Sequence, residues 1–133
     1  MRQLLLLLCL LCLTGCHSTT DALLPDAAEV EAVDFQWFAP PTWSERHFTV
    51  HDHFATLLET LKPYQVEPQP HPWEVRGVLN FILKDGRIVS ISVFDSMDGK
   101  VAFKIGGTYY RGGSLSKLNE VMSKIPRIPT PQK

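Results

Sequence analysis

Cysteine is absent from this chain after residue 16, because its three cysteines are Cys9, Cys12 and Cys16. Residues 17–133 therefore contain no internal disulfide, no cysteine-based zinc site and no thiol nucleophile. An excess of one charge is also absent, since 13 basic side chains stand against 14 acidic ones, for a formal net charge of -1. This balance excludes a strongly basic protein that coats nucleic acid, and we expect no nucleic-acid partner.

Long apolar runs are missing as well. The longest, Leu4–Leu13, has ten residues, of which eight are leucine. A helix of ten residues rises roughly 15 Å, about half the hydrocarbon thickness of a bilayer, so this run is too short to span a membrane. The charge of Arg2 before the run and the small residues after it are typical of a secretory signal peptide.

The tetrapeptide Leu13-Thr14-Gly15-Cys16 follows directly in this segment. It resembles the lipobox of bacterial lipoproteins, and the resemblance covers residues 1–16 alone. It implies that residues 1–15 are removed and that Cys16 carries acyl chains that bind the lipid bilayer, where two or three chains give stable attachment. The next residue is His17 and not the aspartate associated with inner-membrane retention in enteric bacteria, which favours the outer membrane and a domain that faces the periplasm.

Residues 16–46 are predicted to form a flexible tether that is acidic and contains proline. Trp37 and Trp43 lie in this segment. Large aromatic side chains are costly to leave in water, so these two either pack on the domain or form a partner-binding patch. Residues 127–133 are predicted to form a proline-rich tail.

Residues 47–126 are predicted to form one small α+β domain that begins and ends with a helix. The first helix is predicted over residues 50–62, with Thr49 and Asp52 as a capping box. The second begins at Ser114, which has the chemistry of an N-cap, and ends before Pro126. Each helix has one apolar stripe at helical spacing: Val50, Phe54, Leu57, Leu58 and Leu61 in the first, and Leu115, Leu118, Val121, Met122 and Ile125 in the second.

Four strands are predicted between the helices, over residues 74–84, 87–94, 100–105 and 108–111, as an antiparallel meander. Asp85-Gly86 predicts a two-residue hairpin in which Lys84 faces Arg87. That register makes both faces of the sheet apolar, so cover is expected on both sides. Gly106-Gly107 predicts a second two-residue turn, which pairs Phe103 with Tyr110.

The motifs of the sequence predict no catalytic residue, no cofactor and no metal site. His47, His51 and His53 do not share one helix face, and two imidazoles leave a zinc site incomplete. Residues 107–114 approach a phosphate-binding loop, but Gly113 occupies the position of the lysine that contacts the phosphates. An anion bound by Arg111 and the helix start at Ser114 remains an alternative to a purely packing role for the two glycines.

Charge is unevenly distributed along the chain. Residues 17–74 hold ten acidic and two basic side chains, whereas residues 75–133 hold four acidic and ten basic ones. Either the two halves lie close together in the fold and their opposite charges compensate each other, or an exposed basic surface binds an acidic partner.

These observations favour a non-catalytic, membrane-anchored binding module of the bacterial envelope, either an accessory of an envelope complex or a toxin-immunity protein. Its expected partner is another envelope protein or a cell-wall component. A small envelope hydrolase and a carrier of a small ligand or ion remain alternatives. Aromatic and arginine side chains dominate binding energies, so the candidate partner-binding residues are Trp37, Trp43, Trp73, Tyr109 and Arg111.

Overall fold

The computed structural model describes residues 24–37, 47–68, 74–126 and 128–129. In chain order its elements are a 3₁₀ helix (Ala27–Glu29), β1 (Val30–Trp37), β2 (His47–Val50), α1 (Phe54–Glu59), β3 (Tyr64–Val66), β4 (Val75–Leu83), β5 (Ile88–Asp95), β6 (Val101–Ile105), β7 (Thr108–Gly112), α2 (Leu115–Lys124) and β8 (Ile128–Pro129). The strands form one antiparallel sheet in the order β3-β7-β6-β5-β4-β1-β2-β8.

The predicted fold class was wrong, because the protein is mostly β with two short helices. The four predicted strands lie at β4 to β7, but they are only half of the sheet. β1, which we assigned to the tether, pairs with β4 on one side and β2 on the other. Its Val33 and Phe35 are completely buried, so pairing and burial together stabilise a strand whose alternation from Val33 to Trp37 the tether prediction overlooked.

The first helix is also shorter than predicted. Phe48 and Val50 are buried in β2 opposite Phe35 and Val33, so alternation with period two, and not the helical stripe, decides their conformation. The helix begins only at Phe54, after His53 in a left-handed conformation with φ 63°. The predicted capping box is therefore wrong, and the Thr49 hydroxyl instead donates a hydrogen bond to Asp34.

The β4–β5 hairpin differs from the prediction by one residue. The Leu83 N–H donates to the Arg87 carbonyl, which leaves three residues in the turn, and Gly86 adopts φ 88°. Because side chains alternate along a strand, a shift of one residue moves every side chain of one strand to the other face. Val89, Ile91 and Val93 therefore share a face with Leu79 and Phe81, and the two faces are not equally apolar.

The hydrophobic core lies on one face of the sheet, and both helices cover that face. Leu57 and Leu58 of α1 and Leu118 and Met122 of α2 are buried in the same cluster as the inward side chains of the strands. The largest strand residues in this cluster are Trp37, Phe35, Phe48, Phe81, Phe103, Leu79 and Ile91. The helices thus leave the opposite face of the sheet uncovered by any described helix.

The anchor segment predicted from the lipobox, including Cys16, lies outside the described residues. No helix in the described part of the chain is both long and apolar enough to cross a bilayer. The first described residue, Leu24, is 8% exposed and belongs to the core cluster, so the folded part of the chain begins well before residue 47, where we expected it to begin.

Candidate partner-binding surface

The open face, which we define as the sheet face opposite the helices, presents a row of Ala32, Ile82 and Ile88 near the β4–β5 turn and three further rows of side chains that cross the strands. The middle row consists of Gln36, Val78, Ser92, Lys104 and Tyr109. The second row consists of Thr49, Asp34, Asn80 and Ser90. The third row consists of Val75, Phe94, Ala102, Arg111 and Gln65. These rows mix neutral polar, apolar, aromatic and charged side chains, and Phe94 and Ala102 among them are buried, at 8% and 0% exposed.

Tyr109 lies at the centre of the aromatic part of this face. Its ring is 5.8 Å from that of Phe94, and the Lys104 ammonium is 5.1 Å from the centre of the Tyr109 ring. Both neighbours restrict the ring, and a cation over an aromatic face is favourable by about 0.5–1 kcal/mol at exposed sites. Tyr109 is half-buried in β7, so part of its ring remains accessible on this face.

Arg111 follows two residues after Tyr109 and lies on the same face. Its Nη2 is 3.1 Å from Glu67 Oε2, and its Nη1 is 3.5 Å from Asp98 Oδ2. The Glu67 side chain is only 10% exposed, so this pair links the end of β3 to β7 away from bulk water. Among the described ion pairs, Arg111–Glu67 alone joins the acidic first half of the chain to the basic second half.

The β5–β6 loop beside Arg111 is held by two carboxylates. The Ser96 hydroxyl donates to Asp98 and is the main reason that the pKa of Asp98 lies below its ordinary value, with the Lys100 N–H and the charge of Arg111 acting in the same direction. The Met97 N–H and the Arg76 guanidinium lower the pKa of Asp95 in the same way. Both carboxylates are therefore charged at neutral pH.

At the other end of the open face, His47 pairs with Asp34 on the neighbouring strand. The His47 Nε2 is 3.1 Å from both carboxylate oxygens of Asp34. The Thr49 hydroxyl donates to Asp34 at 3.3 Å and not to the imidazole. His51 and His53 are exposed. Within residues 24–37, 47–68, 74–126 and 128–129, no three histidine, cysteine, aspartate or glutamate side chains lie close enough to hold a metal ion.

The structure brings together only two of the five candidate residues. Tyr109 and Arg111 share the open face, whereas Trp37 points into the core and is 2% exposed, which is the packing alternative stated for it and not the partner-binding one. Trp43 and Trp73 lie outside the described residues. Lys104 was not among the predicted residues, although the correctly predicted pairing of Phe103 with Tyr110 also places it beside Tyr109. Phe94 lies on the same face but is only 8% exposed, so it supports the Tyr109 ring from within.

The glycines before α2 serve close packing. A Cβ on Gly112 would lie 2.0 Å from the Pro63 carbonyl oxygen, and a Cβ on Gly113 would lie 2.0 Å from that of Thr60. The Ser114 side chain caps α2 by accepting from the Lys117 N–H, as its sequence position predicts. Because Arg111 already faces two carboxylates, the arrangement favours packing over anion binding at this loop.

Comparison of the chain with protein-family models, curated proteins and solved structures found no match. A function for this chain is therefore inferred from the residues and contacts of the open face. Two of the described clefts lie away from the open face: one of about 650 Å³ between α1 and α2, and one of about 320 Å³ beside Leu24. A third, also of about 320 Å³, lies at the end of β3 and β7. The last reaches the rim of the open face at Gln65 and Arg111.

Proposed function

We propose that this protein is a lipid-anchored, non-catalytic binding module that binds another envelope protein through the open face of its sheet. The lipobox at Leu13–Cys16 supports the lipid anchor, and His17 supports attachment to the outer membrane with the domain in the periplasm. Toxin-immunity and envelope-assembly roles both fit a module of this kind.

The observation that carries the proposal is the open face itself. Small ligands are generally bound in concave sites, whereas the described residues of this face form a broad sheet surface, which the cleft at the end of β3 and β7 reaches at Gln65 and Arg111. Tyr109 and Arg111 lie in neighbouring rows and are of the residue types that contribute most to protein interfaces. A protein is therefore the occupant that fits this surface best.

The tether between lipid and domain is shorter in this proposal than the sequence analysis expected. Leu24, the first described residue, is buried, and it lies eight residues after Cys16. Eight residues span at most about 28 Å when fully extended. Leu24 would accordingly stay within that distance of the bilayer surface, which favours a partner whose binding region lies in the periplasm close to this membrane.

Replacement of Cys16 by alanine tests the anchor. We expect the wild-type protein to incorporate a labelled fatty acid and to sediment with membranes, and C16A to lose both, because the thiol is the acylated group. The measurement is metabolic labelling followed by membrane fractionation. A wild-type protein without label, or a C16A protein with undiminished label, would contradict the anchor.

Replacement of Tyr109 by alanine tests the open face. We expect Y109A to reduce crosslinking to the partner at least tenfold, since truncation of a central aromatic residue costs about 2 kcal/mol at an interface hot spot. Crosslinking is carried out in the native envelope, and each captured band is compared between variants by mass spectrometry. S123A, on the exposed surface of α2, is the control and should capture the partner as the wild type does. A band captured equally by Y109A and the wild type would refute binding through this face.

A further inference from the structure

The groove between α1 and α2 lies on the side of the protein opposite the open face. Its volume is about 650 Å³. Lys62, Lys117 and Lys124 line it together with Glu59 and Glu120, and the remaining lining residues are Thr56, Thr60 and Val121. Three lysines and two glutamates thus line one cleft, an excess of one positive charge, with hydroxyl and apolar surface between them.

The lysines of this groove are only weakly engaged by protein groups. Lys62 contacts Glu59 at 3.1 Å, and Lys124 contacts Glu120, in both cases between exposed side chains three or four residues apart. Exposed pairs of this kind contribute only tenths of a kcal/mol, and an ammonium has three donors, so each lysine can bind a second anion. Lys117 has no carboxylate partner in the described part of the chain. The hydrogen bond from Lys124 is the main reason that the pKa of Glu120 lies below its ordinary value, and the charge of Lys117 acts in the same direction.

The groove also lies beside the point where the chain enters the domain. Glu59 and Lys62 line both this groove and the neighbouring cleft formed by Leu24, Pro25, Asp26 and Ala27. Leu24 is eight residues after Cys16, so a lipid-anchored Cys16 would hold the groove within reach of the bilayer surface. Anionic lipid surfaces attract lysine side chains that are held close to them.

We propose that the groove between α1 and α2 binds the phosphate-bearing headgroups of anionic phospholipids in the membrane that holds Cys16. This inference rests on the proposed lipid anchor. The helical layer then faces the bilayer, and the open face, on the opposite side of the sheet, points toward the periplasm. Both surfaces are occupied at the same time, and the short tether becomes a means of orientation as well as attachment.

The test uses the full lipidated protein, purified from bacterial membranes and reconstituted into vesicles of phosphatidylcholine alone or of phosphatidylcholine with an equal share of phosphatidylglycerol. An amine-reactive reagent labels the lysines, and mass spectrometry gives the labelling rate at each one. We expect Lys62, Lys117 and Lys124 to react about fivefold more slowly in the anionic vesicles, the factor that corresponds to about 1 kcal/mol per lysine at an anionic surface. Lys104, on the open face, should react equally in both.

The variant K117E should restore labelling of Lys62 and Lys124 in anionic vesicles, whereas K104E, which changes the same charge on the opposite side of the sheet, should leave their protection intact. Two results would overturn the inference, provided that the protein still sediments with both kinds of vesicle. One is equal labelling of the groove lysines in both vesicles, and the other is protection of Lys104 in place of the groove lysines. Protection by inorganic phosphate in detergent without protection in anionic vesicles would also overturn it, since it would indicate a soluble phosphate. Failure of the protein to remain with either vesicle would instead refute the lipid anchor.

Discussion

Gly113→Ala is expected to lower the free energy of unfolding by about 3 kcal/mol or more. Gly113 has φ 59°, and an added Cβ would lie 2.0 Å from the Thr60 carbonyl oxygen. That oxygen accepts the Ser114 N–H at 3.0 Å, and Gly113 itself donates to Pro63 at 3.0 Å. Any shift that relieves the contact therefore weakens the two hydrogen bonds that join the start of α2 to the segment after α1. Chemical denaturation of the full chain in mild detergent measures the change.

Gly99→Ala is the matched control for this substitution. Gly99 also has a positive φ, of 78°, but nothing lies within 4 Å of an added Cβ. The control therefore isolates the cost of a left-handed backbone for alanine, about 1 kcal/mol. The difference between the two variants measures the close approach of the chain at Gly113. Equal losses in both would show that backbone conformation alone, and not packing, requires glycine at this position.

Trp37→Ala is expected to destabilise the fold by about 3–5 kcal/mol, the usual cost of truncating a fully buried large aromatic residue. Trp37 ends β1, is 2% exposed, and lies so close to β4 that a Cβ on Gly77 would come within 2.4 Å of its ring. No side chain at position 77 competes for this space, so alanine at position 37 would leave a cavity between two strands. The unfolding midpoint by circular dichroism gives the loss.

The comparison with Tyr109→Ala separates structure from binding. Tyr109 is half-buried, so its truncation should cost stability only about 1 kcal/mol while it reduces partner capture. Trp37→Ala should lose several kcal/mol of stability but, below its unfolding temperature, should capture the partner as the wild type does. A W37A protein that has wild-type stability but fails to capture the partner would indicate that Trp37 binds the partner, which would contradict its position in the core.

The hairpin at Asp85-Gly86 illustrates why local patterns predict strand positions better than they predict faces. Both the two-residue and the three-residue turn use glycine at the same place, and the sequence near the turn does not distinguish them. The three-residue turn buries Val89, Ile91 and Val93 with Leu79 and Phe81 on the helical side. The choice depends on the cover provided by α1 and α2, which lie outside the hairpin.

The assignment of residues 30–37 to the tether failed for a similar reason. Residues 21–34 are acidic and rich in alanine, which is typical of a spacer, and this composition decided the assignment although Val33, Phe35 and Trp37 alternate with Asp34 and Gln36 as in a half-buried strand. Phe35 stacks on Phe48 with ring centres 4.8 Å apart and pairs with Leu79, which lies far along the chain. Contacts between such distant segments are invisible to any reading of neighbouring residues.

The sequence by itself determined the features that depend on a few adjacent residues. These are the alternating strands β4 to β7, the turn at Gly106-Gly107, the Ser114 cap and the absence of thiols after Cys16. Only the tertiary structure decided that β1 and β2 join the sheet, that Trp37 is buried and that the face shared by Tyr109 and Arg111 is the one that the described helices leave uncovered. The physical reason is that caps and turns are satisfied by neighbouring backbone groups, whereas strand pairing and burial depend on apolar surface contributed by distant parts of the chain.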